Sequence, residues 1–266
     1  MNRVAIFGPP RSGTSWLAHI FNSHPKVALR FQPLFSYTHK GALSPISSRD
    51  EIMVFFNSIL KTNDHFALMQ ADMQKDYPKF NKSSLITHLV FKEASYINII
   101  SNLLSNDSNL KLLGIIRNPL ATLASWVQAP KEFSKEWTLL DEWLDAPKKN
   151  QGNPEEYYGY RKWKSAANDF LSFQEQFPHQ FKLVSYKRLN QYTFELVSEL
   201  FDFCQLSVDQ QTIQFIKESK SRHESDPYSV YRSKANDDAW RAILPPSISQ
   251  EIIGDLKDTR LEEFLC

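Results

Sequence analysis

FGPPRSGTSW, Phe7 to Trp16, is the stretch on which the reading of this chain turns. Before it, Arg3-Val4-Ala5-Ile6-Phe7 is a short apolar run, the pattern of a strand buried on both faces of a parallel sheet. After it, Trp16, Leu17, Ile20 and Phe21 recur at helical spacing, so a helix is predicted from about Thr14. Gly8, Gly13 and Ser15 keep the spacing of the phosphate loop G-x-x-x-x-G-K-[ST], but Thr14 stands where the lysine belongs. The nearest basic residue is Arg11, inside the loop. Backbone N–H groups of a Gly-rich loop, backed by a helix N-terminus, bind anionic oxygen whatever the ligand. Arg11 as cation, with the hydroxyls of Ser12, Thr14 and Ser15, keeps the loop fit for phosphate. Losing the lysine that reaches the β- and γ-phosphates weakens the case for a triphosphate.

Outward from the loop, strands and helices alternate. Leu85–Phe91, Lys111–Ile116 and Phe181–Tyr186 read as further strands. Helices are predicted over Asp50–Met69, Ser95–Leu104, from Thr122 onward, over Gly159–Phe177 and around Phe194–Phe203. The alternation predicts a three-layer α/β/α fold around a parallel sheet, of the P-loop NTPase-like kind. There is no internal repeat, and 1–266 reads as one domain. The polar stretch Asp145–Glu156 is the candidate mobile loop, inside a possible acceptor-side insertion over about 127–158.

Composition bounds the function. Hydrophobic residues make up 42% of 266, enough for a large core, and the charge is balanced at 31 basic against 30 acidic side chains. Balance argues against a general nucleic-acid or anionic-membrane binder. Two distant cysteines, Cys204 and Cys266, make no disulfide framework. No apolar run approaches the roughly 18 residues of a membrane span, and the first strand begins almost at Met1. The expectation is a soluble, cytoplasmic protein.

Pro10-Arg11-Ser12-Gly13-Thr14-Ser15-Trp16 resembles, at every position, the loop P-[RK]-x-G-T-[TS]-W of sulfotransferases that use 3′-phosphoadenylyl sulfate. In LLGIIRNPLATLASW, Arg117 and Ser125 are similar to a second signature of that family, a strand-end arginine followed eight residues on by a serine. The resemblance implies that Arg117 and Ser125 bind the donor's 3′-phosphate and that Trp16 lies against the adenine. It further implies that Tyr186, ending the strand FKLVSY, touches the same base. An NTPase would place a magnesium-binding aspartate where Arg117 stands. In YRSKANDDAWR, Arg232 and Lys234 resemble the family's basic closing loop, although both of that loop's glycines are replaced.

The same resemblance implies the chemistry. A sulfuryl group passes from the nucleotide to a hydroxyl, leaving adenosine 3′,5′-bisphosphate, by positioning and charge stabilisation and with no metal. Arg11 and Lys92 are the cations for the leaving phosphate. The proton acceptor is left between Glu93, beside Lys92, and His39 in FSYTHK. The family's usual histidine falls on Ala94, and the glutamate of its carbohydrate branch falls on Gln32 in Phe31-Gln32-Pro33-Leu34. That last context points to a glycan acceptor. The alternatives are a P-loop kinase, or a nucleotide-binding protein with a degenerate catalytic site.

Overall fold

The computed structural model describes residues 1–71, 76–231 and 237–265. Five strands, β1 (Asn2–Phe7), β2 (Val27–Phe31), β3 (His88–Glu93), β4 (Leu110–Ile116) and β5 (Phe181–Ser185), form one sheet in the order β2-β3-β1-β4-β5. Every neighbouring pair is parallel. A parallel ladder demands crossovers and therefore helices on both faces, which makes the fold the α/β three-layer arrangement expected.

Side-chain alternation along the strands builds two cores. Ala5 and Phe7 of β1, Leu89 and Phe91 of β3 and Leu112 and Ile116 of β4 enter one. That core is covered by α2 (Arg49–Leu60), α3 (Ile100–Asn106), α4 (Pro119–Val127), α7 (Tyr160–Gln176) and α11 (Pro246–Leu256). Val4, Ile6, Val90, Leu113 and Ile115 enter the other, beneath α1 (Thr14–Ser23), α8 (Tyr186–Gln191), α9 (Thr193–Phe203) and α10 (Gln210–Ser221). Two short helices, α5 (Leu139–Glu142) and α6 (Pro147–Asn150), lie in the excursion between α4 and α7.

Several boundaries differ from the sequence reading, each for a local reason. The helix predicted to reach Met69 stops at Leu60, because Arg30 of β2 donates to the carbonyls of Ile59 (2.6 Å) and Leu60 (2.7 Å). Beyond it, Asp64 accepts from Ala67 N (2.9 Å) and Thr38 Oγ1 (2.7 Å), folding the chain into turns. The strand predicted from Leu85 starts at His88, where its register with Asn2 begins. The helix predicted from Ser95 is delayed by a left-handed Tyr96 (φ 59°). Strand β2 is absent from the sequence reading, as is α10. The polar stretch Asp145–Glu156 is tied down: Asn150 Nδ2 donates to the carbonyls of Asp145 (2.8 Å) and Tyr158 (2.9 Å), and Tyr96 N donates to Glu155 O (2.7 Å).

Candidate active site

The carboxyl ends of all five strands meet at one crevice, where open α/β sheets bind ligands. Each end delivers something polar. β1 runs into the glycine loop, β2 ends before Gln32, β3 carries Lys92, β4 ends before Arg117 and β5 ends before Tyr186. Together they line a cavity of about 560 Å³.

The loop has the backbone of an anion cradle. Arg11 (φ 69°) and Gly13 (φ 93°) are both left-handed, with Ser12 N donating to Pro9 O at 3.2 Å between them. A left-handed arginine is strained, and such strain clusters where ligands are held. Gly13 is required twice over, since an added Cβ would lie 2.5 Å from the Tyr186 ring. Gly8 has no such φ but no room either, because its Cβ would meet Ile115 O at 2.5 Å. No side chain caps α1 at Gly13, so its first N–H groups are left to the cavity.

The second element is built by Asn118. Its side chain accepts from Leu120 N (2.8 Å) and Ala121 N (3.4 Å), starting α4 directly after Arg117. The helix turns Ser125 back toward the loop, where Arg11 Nε donates to Ser125 Oγ at 3.1 Å. Arg11 also donates from Nη2 to Pro227 O (2.6 Å) and stands 5.3 Å from the Tyr228 ring centre. Its Nη1 is 3.6 Å from Glu132 Oε1. Arg117 donates from Nε (2.9 Å) and Nη2 (2.6 Å) to Asp237 Oδ1 and from Nη1 to Arg11 O (3.2 Å), 4.7 Å from the Tyr186 ring centre. Both arginines thus face carboxylates, Arg117 closely and Arg11 at a longer distance.

Trp16 and Tyr186 meet edge-on with centroids 6.2 Å apart, and Trp16 Nε1 donates to Ser219 Oγ at 3.0 Å. Lys92 Nζ donates to Gln32 Oε1 at 3.1 Å and sits 4.6 Å from the Phe31 ring centre. Burial holds the Lys92 ammonium well below the usual lysine range.

Arg11, Gly13, Thr14, Ser15, Trp16, Lys92, Arg117, Ser125 and Tyr186 therefore share one cavity. Ser12 is fully buried behind the loop, its Oγ without a partner among the described residues. Glu93 and His39, the two residues singled out for proton transfer, do not line the cavity. Glu93 follows Lys92 on the strand and so points to the other face. Its Oε1 accepts from Leu34 N at 2.7 Å, and burial pushes its carboxyl up. His39 is spent on Thr62 Oγ1 (2.9 Å) and Ser58 Oγ (3.4 Å), edge-on to Phe55. Arg232 and Lys234 lie outside the described residues.

The cavity also holds carboxylates that the sequence reading passed over. Glu132 and Glu156 line it from the excursion between α4 and α7, along with Lys149 and Tyr158, and Asp237 lines it from near the C-terminus. Glu156 lies 3.4 Å from Ser95 Oγ, and burial raises its carboxyl above the ordinary range. Among the described residues no group of three or more His, Cys, Asp or Glu side chains could hold a metal ion.

The model of the sulfotransferase domain family matches residues 1–255. The chain belongs to the sulfotransferase domain family. It is an enzyme, a sulfotransferase dependent on 3′-phosphoadenylyl sulfate. No curated protein matches the chain. Among solved structures it is similar to mouse sulfotransferase SULT7A1 complexed with PAP, at 13% identity and a TM-score of 0.60 over 99% of this chain and 87% of that one. It is similar to retinol dehydratase in complex with androsterone and PAP, at 14% identity and a TM-score of 0.56 over 97% and 82%. A sulfotransferase domain from the curacin biosynthetic pathway gives 16% identity and a TM-score of 0.52 over 95% and 96%. At these identities the likeness is one of fold. No helix among the described residues is long and apolar enough to cross a membrane.

Proposed function

We propose that this sulfotransferase transfers the sulfuryl group to a hydroxyl of a carbohydrate, with the residues of the cavity in the following roles. The loop amides and Arg11 bind the 5′-phosphate, Arg117 and Ser125 bind the 3′-phosphate, and Trp16 and Tyr186 flank the adenine. Ser12, Thr14 and Ser15 complete the loop, and Lys92 faces the oxygen that leaves. Arg232 and Lys234 belong to the same site on sequence alone. The acceptor oxygen attacks sulfur, the bond from sulfur to the phosphate oxygen breaks, and the bisphosphate departs with the electron pair. Arg11 and Lys92 offset the charge that grows on it.

The observation that carries the acceptor reading is the half of the cavity beyond Lys92. Phe31, Phe35, Phe66 and Tyr77 present rings there beside the polar Gln32 and Ser95. Gln32 can orient a hydroxyl through its amide but cannot take its proton. Rings next to hydrogen-bonding groups suit a sugar, which has apolar C–H faces and hydroxyl edges. The test is transfer from radiolabelled donor to methyl glycosides of galactose, glucose and N-acetylglucosamine, beside p-nitrophenol and 1-octanol. Label on a glycoside in preference to the phenol and the alkanol is expected. Label on p-nitrophenol or 1-octanol alone would contradict the carbohydrate reading.

A further inference from the structure

Neither residue that the sequence offers for proton transfer reaches the cavity, yet an attacking hydroxyl must lose its proton. The cavity supplies a carboxylate with the right surroundings. Glu132 follows the Trp126–Ala129 turn, held there by its own backbone: Glu132 N donates to Ala129 O (2.9 Å) and its carbonyl accepts from Trp126 Nε1 (3.2 Å). Its side chain is consequently aimed from a fixed main chain. Oε2 is buried and has no hydrogen-bond partner among the described residues. A buried polar atom left open in this way calls for an explanation, and a missing ligand group is one.

Its neighbours supply the rest. Oε1 is 3.6 Å from Arg11 Nη1, well beyond the roughly 2.8 Å of a tight charge-assisted bond. The Tyr158 hydroxyl also reaches this carboxylate. Arg11 has firmer partners elsewhere, Ser125 Oγ and Pro227 O, and it belongs to the loop on which the donor's phosphates are to sit. Arg11 therefore holds Glu132 loosely and is itself wanted by a more highly charged anion.

Resting on the donor site proposed above, we infer that Glu132 is the proton acceptor of the transfer, its open Oε2 taking the proton while Arg11, only loosely held by Oε1, serves the donor's phosphates. In the donor complex the acceptor's O–H proton passes to the Glu132 carboxylate as its oxygen bonds to sulfur. The electron pair of the broken S–O bond leaves with the bisphosphate, so charge and atoms balance. The charged and titratable groups around Glu132 are Arg11, Lys92, Tyr77, Tyr158 and Tyr228.

Glu132→Gln keeps the shape and removes the base. Its binding of adenosine 3′,5′-bisphosphate is expected to be unchanged or up to about fivefold tighter, since Arg11 is released. Its turnover with the acceptor panel above is expected to fall by about 10²–10⁴-fold, and the acid limb of the kcat/KM–pH profile is expected to vanish. Turnover within about threefold of the parent, with that limb in place, would overturn the inference, as would a loss confined to Glu156→Gln. If Glu132→Gln loses bisphosphate binding through misfolding, Glu132→Asp carries the test. It retains the charge one methylene further back, so it must bind and turn over slowly, and parental turnover would refute the assignment. A parent enzyme that binds no bisphosphate defeats the donor site itself, which is a different failure.

Discussion

Asp237 occupies Arg117 as a phosphate would, with one carboxylate oxygen 2.6 Å from Nη2 and 2.9 Å from Nε. On the donor site proposed above the 3′-phosphate takes the same place, so the pair would oppose binding. Asp237→Asn is expected to tighten bisphosphate binding several-fold, the scale of a partly exposed ion pair, and calorimetry reads it directly. Weaker binding in that variant would mean that Asp237 shapes the site instead of filling it. Lys92 gives a pH signature. Its ammonium is held below the ordinary lysine range of about 10.4 by burial, so it neutralises early as pH rises. Glu132 and Arg11 also face it, and Glu93 adjoins it on the strand. Bisphosphate affinity should accordingly weaken with rising pH before an ordinary lysine would titrate, and Lys92→Arg, charged throughout, should flatten that limb. A titration flat from pH 7 to 10 in the parent would remove Lys92 from the donor site. At this scale the grouping of the loop, Arg117, Ser125 and Tyr186 around one cavity was legible, because motif spacing encodes it. The place of Glu132 beside Arg11 was not, because Arg11 reaches it from 121 positions earlier in the chain, which no spacing rule describes. Glu93 misled for the opposite reason: proximity to Lys92 in sequence puts it on the other face of the strand.

Among the elements, β4 shows how tightly the sheet meets its helices. An added Cβ on Gly114 would lie 2.4 Å from Phe181 and 2.7 Å from Phe170, both fully buried rings on β5 and α7. Gly114→Ala is therefore expected to cost about 1–3 kcal/mol by overpacking. Calorimetry should show the melting temperature falling by about 3–10 °C with bisphosphate binding retained in what stays folded. An unchanged melting temperature would mean that the rings shift freely. The strands with continuous apolar runs were readable from the sequence, since burial on both faces leaves an unmistakable signature. β2 was not, because VALRF is an edge strand with Ala28 and Arg30 only partly covered, and its five residues carry little pattern. The end of α2 was hidden for a related reason. Nothing in Asp50–Met69 stops a helix as firmly as the Arg30 guanidinium that takes its last carbonyls from another element.

For the molecule as a whole, the parallel order β2-β3-β1-β4-β5 sends five strand ends to one edge, and the function follows from that convergence. No single motif makes the site; the loop, two arginines, an aromatic pair and a buried lysine meet only in the assembled sheet. On the proposed reading, this edge binds a nucleotide bearing a 3′-phosphate and no metal-bound triphosphate. Calorimetric titration of the protein with adenosine 3′,5′-bisphosphate, beside ATP with magnesium, tests it most directly, with Arg117→Ala in parallel. The result expected is tight bisphosphate binding that weakens by about 10²–10³-fold in Arg117→Ala, with magnesium-ATP far weaker. Preference for magnesium-ATP, or bisphosphate binding indifferent to Arg117, would contradict it.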